Sequence, residues 1–134
     1  MRSIRYLLTS MLVVFFAVSA VPAGRADSAI APFSRAAFDA AQPEGKPILV
    51  QITASWCPVC AKQKPILSHL LSEPRFKDLI VYNIDFDSQK DLVREMGAQK
   101  QSTLIVFTGK TEKGRSTGET DPAAIESLLA RSAG

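Results

Sequence analysis

A nearly unbroken apolar run, Ile48-Leu49-Val50-Gln51-Ile52-Thr53-Ala54, passes through Ser55-Trp56 straight into Cys57-Pro58-Val59-Cys60, after which the apolar spacing turns helical. A run of this length without polar alternation fits a central strand covered on both faces. Pro58 suits the first turn of a helix, where a missing N–H costs nothing. Val59, Leu67, Leu70 and Leu71 then carry an apolar face to about Ser72. Pro65 is expected to kink that helix. The cysteine pair is thereby placed at a strand-to-helix turn.

The rest of the chain supplies further alternating elements. Ser34 caps a helix expected to reach about Gln42, and the Pro43 to Pro47 segment ends it. Leu79 to Phe86 reads as a second buried strand, Gln89 to Met96 as a short helix stopped by Gly97, and Thr103 to Thr108 as a third strand. Gly109 to Gly114 is expected to be a hairpin loop returning through Arg115 to Thr117. Asp121 caps a closing helix from Pro122 to Ser132. Strands alternating with helices and ending in a hairpin and a helix imply an α/β sandwich, its sheet mostly parallel with an antiparallel edge hairpin. With 134 residues, one domain is expected.

The amino terminus has another character. Arg2 and Arg5 precede an uncharged run from Tyr6 to Val21, followed by small residues around Pro22 to Ala26. This is the pattern of an export signal over residues 1–26, leaving a domain over 27–134. The run, about 16 residues, is short of the roughly 20 needed to span a bilayer. Cleavage after Ala26 is favoured over Ala20 or Ala23, with an uncleaved membrane anchor as the alternative. Either outcome predicts a periplasmic or otherwise exported domain. The positive balance of the chain belongs to this leader, since Arg2, Arg5 and Arg25 account for the excess of 16 Lys+Arg over 13 Asp+Glu. A formally neutral domain gives no basic face for nucleic acid.

In an exported domain, structural cysteines are normally spaced to close long loops. Here both lie within one C-x-x-C, whose loop is too short to constrain the unfolded chain much. Redox chemistry is the better reading. At a helix N-terminus, unpaired N–H groups and the macrodipole stabilise a thiolate, which is the nucleophile. Cys57 is therefore assigned attack, as the more exposed and more acidic thiol, and Cys60 resolution one helical turn on. A structural zinc site wants four ligands, and two thiols with one His do not supply them. No metal site is expected, although two thiolates suit Cu(I), so a non-enzymatic Cu(I) carrier is the competing function.

From Ile48 to Cys60, with Pro65 five residues beyond the second cysteine, the chain resembles the active-site strand and helix of the thioredoxin-like family. Val81 to Asp87, Met96-Gly97, Thr103 to Phe107 and Gly118 are similar to later family segments, so the resemblance covers roughly Phe33 to Leu129. It implies a thioredoxin-like sandwich and reversible dithiol-disulfide exchange with protein substrates, without a bound cofactor. It also implies a substrate-docking surface, here Trp56, Pro58 and Val59 with Gln101, Ser102 and Thr103. A membrane thiol-disulfide donor and a monomeric state are the expected partnership.

Two positions depart from the family pattern. Gln51 stands where many thioredoxins carry a buried acid that assists proton transfer at the second cysteine, and an amide cannot act as that base. Ser102 stands where the family has a cis-proline, so the Gln101–Ser102 bond is expected to be trans, or cis at a cost of about 3 to 4 kcal/mol. A Ser102 hydroxyl facing Cys57 would support the thiolate. Trp56 is expected as a partly exposed lid, His69 as a surface residue, Asp85 and Asp87 as a solvated strand end, and Lys62 and Lys64 as a solvated helix face.

Overall fold

Ile48, Leu49, Val50 and Ile52 expose no surface at all, so the strand they form has to lie between two layers. The computed structural model describes residues 30–133, and the export signal expected over 1–26 lies outside the described residues. Five strands, β1 (Ala31–Pro32), β2 (Pro47–Thr53), β3 (Ile80–Asp85), β4 (Thr103–Thr108) and β5 (Thr111–Thr117), form one sheet in the order β1-β3-β2-β4-β5. β3 runs parallel to both β1 and β2, while β4 is antiparallel to β2 and β5 to β4. Helices α1 (Arg35–Ala41), α2 (Pro58–Leu71), α3 (Lys90–Glu95) and α4 (Pro122–Ala133) flank it. This is the expected α/β sandwich with its antiparallel hairpin at one edge.

Strand alternation divides the interior into two cores. Ile48, Val50 and Ile52 point to one face, where they join Phe33, Phe38, Tyr82 and Phe107. Phe38 anchors that layer, its ring centroid 5.4 Å from Phe107 and 5.3 Å from Phe33. Leu49, Leu104 and Val106 point to the other face, against Leu67 and Leu70 of α2 and Ile125 and Leu129 of α4. Each such side chain fully withdrawn from water contributes about 1.5 to 3 kcal/mol.

Three elements differ from the sequence expectation. The hairpin turn is only Gly109-Lys110, and β5 begins at Thr111, not after Gly114. Gly109 adopts φ +57, and a Cβ there would lie 2.9 Å from the Gln42 carbonyl oxygen, so only glycine closes this turn. Opposite Val106/Phe107 the register slips, leaving Lys113 as the extra residue. β5 is polar and mostly exposed, so it carries no alternation by which it is read. The two-residue β1 and a 3₁₀ turn at Pro74–Phe76 are likewise too short for periodicity.

Candidate active site

β2 delivers the chain to its carboxyl end, where the Cys57 N–H donates to the Ala54 carbonyl at 3.1 Å and turns the backbone into α2. Cys57 is the N-cap, in extended conformation, and Pro58 is the first helical residue. Cys57 and Cys60 are joined in a disulfide with Cα atoms 5.3 Å apart. The Cys60 N–H points at Cys57 Sγ from 3.1 Å. One of the helix's orphan donors thus already faces the sulfur that would carry negative charge after reduction. Pro65 sits inside α2, which nonetheless continues to Leu71.

The expectation of a more exposed Cys57 does not hold for this oxidised state: Cys57 is 3% exposed and Cys60 8%. Both sulfurs belong to a small cluster with Ala54, against which Val59 and Phe86 pack. A position at the helix start does not of itself expose the first cysteine.

Trp56 is 59% exposed, consistent with a lid, and it is not loose. Its indole N–H donates to Asp87 Oδ2 at 2.7 Å. Asp85 holds the turn below that contact, its Oδ1 accepting the Asp87 N–H, the Ser88 N–H and the Ser88 hydroxyl. The Ser88 bonds keep the Asp85 carboxyl below its usual range. The strand end is solvated, as expected, but it also positions the tryptophan. His69, Lys62 and Lys64 are exposed.

Ser102 lies in the segment before β4 with a trans peptide bond and φ +56, the one described non-glycine residue at positive φ. A trans chain therefore makes its turn here by entering the left-handed region, which costs a residue with a Cβ about 1 kcal/mol or more. The Ser102 hydroxyl is turned back on its own chain and donates to the Gln101 carbonyl at 2.5 Å. The Ser102 carbonyl accepts the Gly118 N–H at 2.9 Å and Gln63 Nε2 at 3.2 Å. Gln101 is half-buried and Thr103 buried, the Thr103 hydroxyl donating to the Lys100 carbonyl at 2.8 Å.

Gln63 was invisible to pattern reading, since a single polar residue in an amphipathic helix looks like its solvated side. It is 2% exposed, one turn after Cys60, and its amide also donates to the Glu119 carbonyl at 2.9 Å. It ties α2 to the Ser102 segment and to the loop before α4. The signal available was its spacing, four residues before Leu67 on the buried face. Gln51 is also buried, at 8% exposure, and lies with both cysteines in the wall of a cavity of about 580 Å³.

A disulfide at a helix N-terminus, fed by the central strand of a five-stranded mixed sheet, defines a dithiol-disulfide exchange domain. The thioredoxin family model matches residues 29–131, and the chain belongs to that family. Its members are disulfide oxidoreductases, and the Cys57–Cys60 pair equips this chain as one. The crystal structure of Trxlp from Edwardsiella tarda is similar with a TM-score of 0.73 and 42% identity, covering 75% of this chain and 98% of that one. The bifunctional thioredoxin reductase/thioredoxin of Mycobacterium leprae is 34% identical over 80 residues, 60% of this chain and 17% of that protein. Thioredoxin of Mycobacterium tuberculosis is 32% identical over 80 residues, 60% of this chain and 68% of that protein.

Proposed function

We propose that this domain exchanges its Cys57–Cys60 dithiol with disulfides of protein substrates in the cell envelope, as a reductase for dedicated partners. The observation that carries the reading is the disulfide at the start of α2, with the Cys60 N–H aimed at Cys57 Sγ. In the reduced protein, the Cys57 thiolate attacks one sulfur of a substrate disulfide and expels the other as a thiolate. The Cys60 thiolate then attacks Cys57 Sγ, releasing the second substrate sulfur and closing the protein disulfide. Two electrons pass to the substrate, and a membrane thiol-disulfide donor restores the dithiol. Exposed Trp56 and Pro58, with half-buried Val59 and Gln101, form the surface on which the substrate rests, the backbone of buried Ser102 and Thr103 lying beside it, and the domain works as a monomer. Export follows from the Arg2, Arg5 and Tyr6 to Val21 pattern at the amino terminus.

The direct test is Cys60→Ser in the cell envelope. It should accumulate mixed disulfides through Cys57 that a reducing gel releases, and Cys57→Ser should accumulate none. Equal trapping by both variants would reverse or cancel the assignment. A dithiol potential near that of strong oxidants would overturn the reductase direction. Stoichiometric copper on the purified protein, without turnover of a protein disulfide, would favour the Cu(I) carrier instead.

A further inference from the structure

The sheet face under α2 changes character toward the disulfide. Leu49 of β2 and Val81 of β3 are core residues on that face. Two steps along each strand the same face carries Gln51 beside Asn83, and two further steps on Thr53 beside Asp85. Thr53 Oγ1 donates to Asn83 Oδ1 at 2.7 Å. This polar floor, the start of α2 and the Cys57–Cys60 disulfide line the solvent-open cavity of about 580 Å³.

Resolution of a mixed disulfide requires Cys60 as a thiolate, and a free thiol near pKa about 8.5 is mostly protonated at neutral pH. A base has to take that proton. On β2 the cavity wall offers Gln51 and Thr53, on β3 Asn83, and on α2 Gln63, all neutral groups that do not titrate as bases. Among the described residues, two charged groups line it. Lys64 of α2 ends in an ammonium, which has no acceptor lone pair. Asp85 of β3 already accepts three hydrogen bonds on Oδ1, and its carboxyl is held below the ordinary range, which weakens it as a base toward a thiol.

We propose that Cys60 gives its proton to a base carried in by solvent through this cavity, with no side chain among the described residues as acceptor. In the balanced step, the Cys60 S–H bond breaks toward the incoming base, which leaves protonated. The sulfur lone pair then attacks Cys57 Sγ, and the bond from Cys57 to the outgoing thiolate breaks. The cavity accepts a small neutral amine or imidazole. The proposal rests on the dithiol-exchange reading.

The test uses stopped-flow reaction of the reduced protein with dithiobis-nitrobenzoate. The first coloured thionitrobenzoate reports attack by Cys57, and the second reports resolution by Cys60. At fixed pH and ionic strength, raising imidazole should speed the second phase several-fold and leave the first unchanged. Ala61→Leu, which fills part of the cavity, should abolish that response, while Asp85→Asn and Lys64→Gln should leave it within about twofold. A second phase indifferent to imidazole would overturn the proposal. So would a loss of more than about tenfold in Asp85→Asn, which would make that carboxylate the base. If instead no second thionitrobenzoate is released, the dithiol does not close, and it is the exchange reading that fails.

Discussion

Ser102 holds a backbone conformation that its side chain does not favour. At φ +56, Ser102→Gly removes the Cβ conflict and should be neutral to stabilising, within about 1 kcal/mol. Ser102→Pro requires φ near −65°, so the segment has to rearrange, and the bonds from Gly118 and Gln63 to its carbonyl are at risk. Urea unfolding should place the proline variant at least about 1 kcal/mol below wild type. Equal stability of the two variants would show that the loop is not strained. A second residue-scale effect belongs to Asp85, whose carboxyl is lowered first by the Ser88 hydroxyl and then by the Ser88 N–H. A carboxyl with a depressed folded-state pKa stabilises above its unfolded value and loses that contribution as pH falls through the folded one. The melting-temperature gap between wild type and Asp85→Ala should therefore be widest near neutrality and close in acid. A gap independent of pH would mean that the turn depends on packing and not on charge.

Among the elements, α2 depends on more than its apolar face. Gln63→Leu keeps the volume but leaves the Glu119 carbonyl without its amide donor and removes one partner from Ser102, at a cost of about 1 to 3 kcal/mol. Hydrogen exchange at Gly118 should accelerate in that variant, and unchanged protection would show that the amide tether is dispensable. The hairpin turn is equally specific. Gly109→Ala meets both the positive φ and the Gln42 carbonyl, so it should cost more than about 1 kcal/mol in denaturant unfolding. Elements with a strong period were legible without coordinates: β2, α2 and β4 follow directly from the apolar residues at Ile48, Leu67 and Ile105. β5 was legible only in part: the hairpin return through Arg115 to Thr117 was expected, but not its start at Thr111, because Thr111 to Thr117 presents charges and hydroxyls on both faces. In the site, the cysteines and Trp56 are readable from local sequence. Gln63, Asp87 and the φ of Ser102 depend on residues far along the chain and are fixed only by folding.

For the whole molecule, the sheet insulates one core from the other. Ile84 packs with the aromatic layer and Ile125 of α4 in the other core, with Leu67 and Leu70 of α2, on opposite faces of the sheet. Ile84→Val and Ile125→Val should each cost about 0.5 to 1.5 kcal/mol. Their sum should match the double variant within about 0.5 kcal/mol. A larger coupling energy would show that strain crosses the sheet. The tryptophan held by Asp87 has an optical consequence. Trp56 is the single tryptophan of the chain, adjacent in sequence to the disulfide and fixed by its indole hydrogen bond. A disulfide quenches a neighbouring indole's excited state and a dithiol does so less. The emission of this one side chain is therefore expected to brighten on reduction, so the protein carries its own dye and its redox state can be followed by light without a label.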